Sequence, residues 1–164
     1  MGAEGEFALV REYMEAAVKL PGQPVRRGSM AHDHDVYVLL ADAAAQHHDA
    51  GGLRQYAPRA GELAERDAHK LYLGVAQWAR GVAARLEGGY EAAEVLLRQA
   101  LEVFQQMGTR WQAGRTWAEL GELALARSNP GAARDNFAQA LAAFEAMQAT
   151  PDAARTRARL DSIG

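Results

Sequence analysis

Apolar residues recur at three- and four-residue intervals along most of the chain. Ala93, Leu96, Leu97, Ala100, Leu101 and Phe104 form one such series, and Ala133, Phe137, Ala140, Leu141 and Phe144 form another. That spacing puts each series on one stripe of an α-helix, which needs a second surface to bury it. Stop and start signals stand between the stripes: Gly51-Gly52, Gly88-Gly89, Gly108-Thr109, Ser128-Asn129-Pro130-Gly131 and Thr150-Pro151. Glycine supplies the left-handed residue that ends a helix, and proline suits the first turn of the next. The pattern predicts helices near 5–20, 35–50, 53–69, 71–87, 90–107, 111–127, 130–148 and 152–162.

The two stripes are copies of one another. A shift of 40 places sets Gly81 on Gly121, Ala93 on Ala133, Ala100 on Ala140, Leu101 on Leu141, Phe104 on Phe144 and Met107 on Met147. An earlier, weaker copy lines up at a shift of 37, with Ala44 opposite Gly81, Tyr56 opposite Ala93 and Ala60 opposite Leu97. Self-similarity at this period is the mark of stacked helical hairpins, none of which buries its apolar face alone.

These positions carry a resemblance to the tetratricopeptide repeat family. Its motif is a large residue, Leu-Gly, a small residue, an aromatic and then Ala; Trp117, Leu120-Gly121, Ala133, Phe137 and Ala140 fit it throughout. In the preceding copy Gly81, Ala93 and Ala100 fit, while Gln77, Arg80 and Leu97 depart from it. The first copy departs most, with Ala44, Tyr56 and Leu63 at the three small positions. The repeat exceeds the family's usual ~34 residues. Longer repeats of this kind resemble those of large bacterial signalling and transcription regulators, which often end as Ala100-Leu101-Glu102-Val103-Phe104-Gln105-Gln106-Met107-Gly108 does.

The resemblance implies an all-α, right-handed superhelical solenoid of antiparallel hairpins. Residues 1–34 would form an N-terminal helix plus linker, 35–150 about three hairpins, and 151–164 a charged capping helix or the start of a truncated fourth repeat. It also implies a concave groove that holds a protein or peptide. Carried over by register, the groove positions are Val38, Ala41, Ala45 and His48, then Val75, Trp78, Val82 and Arg85, then Arg115, Ala118, Glu122 and Leu125. Trp and Arg carry most of the binding energy at interfaces, and a free Arg115 would suit a carboxylate. The alternative for Trp78 is core packing, and for the arginines a solvated surface. The Lys and Asn set that clamps peptide termini in chaperone-binding members is missing, since the chain's two lysines are Lys19 and Lys70.

Composition narrows the function classes. With 49% hydrophobic but only 7% aromatic residues, the interior is built of small side chains, Ala above all, which favours helix over sheet. A net charge of −3 gives no electrostatic reason to expect nucleic acid or an anionic membrane. No apolar run approaches the ~20 residues of a membrane span. The acidic start, Met1-Gly2-Ala3-Glu4-Gly5-Glu6, is unlike a secretion signal, so a cytoplasmic protein is expected. Absence of Cys rules out disulfides and thiolate chemistry.

Candidate chemistry is sparse. His32, Asp33, His34, Asp35 and His47-His48 supply metal-ligating types, but at a helix's two ends ~20 Å apart. The expectation is no metal and no cofactor, with Asp33 or Asp35 capping the helix instead. Glu65 with His69, and Glu62 with Arg66, read as exposed helix pairs four residues apart. Ser29, Ser128 and Ser162 lie in no nucleophile context, so no enzyme is expected. The stretch 21–30 reads as a loop, and its Arg26-Arg27-Gly28-Ser29 fits a basic-directed kinase pattern. The apolar first helix, with Phe7, Leu9, Val10, Tyr13, Met14, Ala17 and Val18, would cap the first hairpin or swap onto a second copy as a homodimer. Three functions follow: a scaffold that binds a partner in its groove, a sensory or dimerisation module of a larger regulator, or a purely structural self-associating protein.

Overall fold

A computed structural model describes residues 11–12, 15–16 and 33–163. Among the described residues there is no strand, and seven helices follow one another. They are α1 (Asp33–Gln46), α2 (Ala50–Arg66), α3 (Lys70–Leu86), α4 (Tyr90–Gln106), α5 (Arg110–Ala126), α6 (Pro130–Ala146) and α7 (Thr150–Ser162). Arg11, Glu12, Glu15 and Ala16 are also helical. The rest of the expected 5–20 helix, the 21–30 loop with Ser29, and the His32, Asp33 and His34 side chains fall outside the described residues.

The helices α2 to α6 have 17 residues each. Three-residue connections separate all seven, so helix starts recur every 20 residues from Ala50 to Thr150. One turn design produces this regularity. The middle residue of each connection is left-handed: His48 (φ 52°), Ala68 (52°), Gly88 (81°), Gly108 (69°), Ser128 (57°) and Gln148 (56°). The N–H of the next residue then reaches back five positions, as from Asp49 to the Ala44 carbonyl and from Gly89 to that of Ala84, both at 2.8 Å. That closure satisfies the orphan carbonyls of a helix C-terminus. Side-chain caps complete three starts: Asp49 accepts from Gly52 N–H at 3.0 Å, His69 from Tyr72 at 3.4 Å and Asn129 from Ala132 at 3.1 Å.

The turns correct the register of the first copy. Its left-handed residue is His48, which corresponds to Gly88 and Ser128 at a shift of 40, not 37. Gly51-Gly52 is no break, because both glycines lie in the first turn of α2. Gly52 is needed there for room: a Cβ would come 2.7 Å from Asp49 Oδ2 and 3.1 Å from Ala44 Cβ. In the corrected frame Ala41, not Ala44, stands with Gly81 and Gly121.

Small residues let the paired helices approach. A Cβ on Gly81 would meet Leu97 at 2.8 Å, and one on Gly121 would meet Phe137 at 2.8 Å. Seven residues earlier, Gly74 and Gly114 make room for Phe104 and Phe144 in the same way, at 2.9 and 2.8 Å. Ala93, Ala133, Ala100 and Ala140 are fully buried beside them. Large side chains of α4 and α6 thus fill hollows left on α3 and α5. Besides its sequence neighbours, α3 packs against both α1 and α5.

Three local expectations change. Asp35 lies inside α1, which begins at Asp33, and it accepts the Tyr72 hydroxyl at 2.6 Å, which helps push that phenol up to about 12. Glu65 and His69 do not share a helix, because α2 stops at Arg66 and His69 caps α3 while stacking on Tyr72 at 3.8 Å. Nor do Glu62 and Arg66 pair: Glu62 receives Arg59 at 2.8 Å, and Arg66 binds Asp67. At the N-terminal side, Arg11 reaches Asp49 at 3.4 Å and Tyr56 donates to Glu15, so these residues meet the first hairpin of their own chain. No helix among the described residues is long and apolar enough to cross a membrane.

Candidate functional site

A groove of about 850 Å³ runs across one face of the helix array. Its walls come from the C-terminal end of α1, from α3, α5 and α6, and from α7. Ala45, Gln46, His47 and His48 form one side, and Asp152, Arg155, Thr156, Ala158 and Arg159 form the other. Trp78, Trp111, Arg115, Ala118, Glu119 and Glu122 make the floor, with Phe137 and Phe144 behind them.

Arg115 is the centre of the floor. Its guanidinium lies 4.0 Å from the Trp78 ring centroid and 4.4 Å from that of Trp111, between an indole of α3 and one of its own helix a turn earlier. Its Nη1 donates to Asp42 of α1 at 2.7 Å. Desolvated cation–π contacts of this kind contribute about 2 kcal/mol. The guanidinium therefore ties α1, α3 and α5 together, and only 11% of the side chain is exposed.

One turn further along α5, Glu119 repeats the pattern with opposite sign. Arg85 of α3 donates to it from Nε at 3.0 Å, and His48 Nε2 stands 3.7 Å away. Burial alone would push this carboxyl up, but the neighbouring His48 imidazole and the Arg85 charge hold it below the ordinary range. Reciprocally, the Glu119 carboxylate raises His48 against the opposing effect of partial burial. At the far wall Glu122 receives a two-pronged bond from Arg159 at 2.6 and 2.6 Å, and Trp111 Nε1 donates to Asp152 at 3.2 Å. Planar guanidinium–carboxylate pairs of that geometry fix orientation as well as charge. The four helices α1, α3, α5 and α7 are thus laced together across the groove by charged side chains.

The expected groove residues divide into two sets. Ala45, His48, Trp78, Arg115, Ala118 and Glu122 line the groove together. Arg85 lies just behind it, through Glu119. Val38, Ala41, Val75 and Val82 are buried at 6%, 0%, 8% and 0% exposure and serve as packing. Leu125 packs beside Ala124, Ala133 and Phe137. Trp78, at 4% exposure, has both roles: its ring is core, and one face carries Arg115. Arg115 does not offer a free fork, because Asp42 already occupies one prong. Asp42 itself was hidden by the shift of 37; at 40 it stands with Val82 and Glu122. Trp111, Glu119, Asp152 and Arg159 were also missed, although Trp111 and Glu119 flank Arg115 at the four-residue spacing of helix neighbours.

Among the described residues no group of three or more metal-ligating side chains converges. What the groove presents is an indole face and a set of restrained charges. Comparison with protein-family models, with curated proteins and with solved structures finds no match.

Proposed function

We propose that the chain is a tetratricopeptide-like solenoid of helical hairpins that acts as a binding module, holding a protein or peptide segment in the groove. The regular 17-residue helices and their shared turn support the solenoid reading. One observation supports the binding reading above the rest: the Trp78–Arg115–Trp111 stack at the floor of a groove of about 850 Å³. The volume suits several side chains of an extended peptide. The stacked residues are of the types that anchor interfaces. Their restraint by Asp42 and Asp152 means little side-chain entropy is lost when a partner settles on them.

Peptides selected from a random displayed library on the intact protein test this reading. They are then titrated calorimetrically against wild type and against Trp111→Ala, which removes the half-exposed wall of the stack. An Arg98→Ala variant alters an exposed residue of α4 outside the groove and serves as the control. The expected result is a loss of about tenfold or more with Trp111→Ala, the weight of one aromatic anchor, and no change with Arg98→Ala. A library that enriches nothing, or peptides indifferent to Trp111, would refute it.

A further inference from the structure

Behind the Trp78–Arg115–Trp111 stack lies a second, much smaller pocket of about 10 Å³, lined by Asp42, Val75, Trp78, Phe104, Gln112 and Arg115. Two of its lining residues carry buried donors with no acceptor, Trp78 Nε1 and Arg115 Nη2. Trp78 is 4% exposed, so neither bulk solvent nor an approaching partner satisfies its indole N–H from outside. Buried donors are rarely left unmade in folded proteins.

We propose that this pocket is a binding site for one ordered water molecule. The volume is at the lower limit for a single water. The polar groups select water over an ion. A bound anion would suit the two N–H donors but would face the Asp42 carboxylate, and a cation would face the guanidinium. Water accepts from Trp78 Nε1 and Arg115 Nη2 and donates to Asp42. The Asp42 oxygens already receive Arg115 Nη1 and Gln46 Nε2, both at 2.7 Å, and each retains a lone pair. Val75 and Phe104 supply the apolar part of the lining.

The consequence concerns recognition. With Nη1 on Asp42 and Nη2 on the water, the two prongs of Arg115 are engaged inside the protein. The residue then supports the groove floor, and a ligand meets the Trp111 face instead of the guanidinium fork. This inference does not depend on what the groove binds.

Nuclear magnetic resonance on the full chain tests it. The three tryptophans give three indole N–H signals, of which Trp78→Phe identifies one by its loss. The Trp78 signal should show a cross-peak to a water of nanosecond or longer residence, whereas that of Trp111, bonded to Asp152 at the exposed lip, should exchange rapidly. A high-resolution crystal structure should show density about 2.7–3.2 Å from both nitrogens. A Trp78 indole with no water cross-peak, or a pocket without density there, overturns the proposal. Val75→Ile gives an independent sign: filling a dry void raises the unfolding temperature, whereas expelling a bound water strands both donors and lowers it.

Discussion

Two substitutions of identical chemistry should move stability in opposite directions. Gly121→Ala and Gly61→Ala each add one methyl within a helix, and the intrinsic gain from replacing helical glycine is about 1 kcal/mol at either place. At Gly61 the new Cβ would lie 3.7 Å from the Ala76 Cβ, an ordinary contact. At Gly121 it would lie 2.8, 2.8 and 2.9 Å from three ring carbons of Phe137, roughly 0.7 Å inside normal carbon contact. Phe137 is 1% exposed and has nowhere to retreat without displacing α6. Overpacking of that kind costs about 1–3 kcal/mol, which offsets or exceeds the helical gain. Gly61→Ala should therefore stabilise by up to about 1 kcal/mol and Gly121→Ala destabilise by about 1 kcal/mol. For a chain of this size the unfolding temperature should rise by about 2–4 °C in the first case and fall by about as much in the second. Urea unfolding followed by circular dichroism gives both free energies, and Phe137→Leu added to Gly121→Ala should return part of the loss. If both variants shift the same way, or if Phe137→Leu brings no recovery, the close approach of α5 and α6 is not what glycine serves there.

The remaining predictions concern turns and charges. Ala68→Gly should stabilise by about 1 kcal/mol, because Ala68 is exposed and held at φ 52°, a conformation that costs any residue with a Cβ about that much; thermal unfolding beside an Ala84→Gly loss in a helix interior reads it. Glu119→Ala should cost about 3 kcal/mol or more by leaving Arg85 buried without its counter-charge, while the double change Arg85→Met, Glu119→Leu should recover most of it; equal and additive losses would remove the argument. His48 sets a pH dependence. Its folded pKa lies above the ordinary imidazole value of 6.5 because the Glu119 carboxylate stands beside it, so its contribution is complete below that value and is lost as pH rises through the higher folded pKa. The urea midpoint of wild type relative to His48→Gln should therefore fall across that window, and two parallel curves would contradict the pairing.

Much of the fold was legible because the turns and the packing positions obey one rule. From 71 onward the shift of 40 is spelled out by Gly81 and Gly121, Ala93 and Ala133, Ala100 and Ala140. Each of those residues is dictated by a close helix approach, and few side chains fit. The first copy misled for a physical reason. Its left-handed turn residue is His48 instead of glycine, whereas its glycine pair sits where Asp49 folds back over the first turn of α2. Glycine there answers a steric demand that helix-stop logic does not contain. Glu65 with His69 fails similarly: a spacing of four means a shared face only inside one helix, and Ala68 has already turned the chain.

The groove was less legible because its residues are not repeated. At the packing positions the copies agree, with Ala41, Gly81 and Gly121 or Ala60, Ala100 and Ala140 in register. At the frame places that supply Arg115, Glu122 and Ala118 they diverge: Asp35, Val75 and Arg115 share one place, Asp42, Val82 and Glu122 another, and Val38, Trp78 and Ala118 a third. A uniform array would stack identical charges one above the next on α1, α3 and α5, and like charges repel. Alternation does the reverse, since an acid on α1 pairs directly with Arg115 on α5, whose guanidinium rests on an indole from α3. The same logic sets Glu119 of α5 against Arg85 of α3 and His48, and Glu122 of α5 against Arg159 of α7. The departures from the repeat therefore mark the site. The charged residues that break the 40-residue frame on this face, Asp42, Arg115 and Glu122, each pair with a residue of another helix. Pairwise deviation from internal symmetry is a signal the sequence does contain, once the first copy is set in its true register.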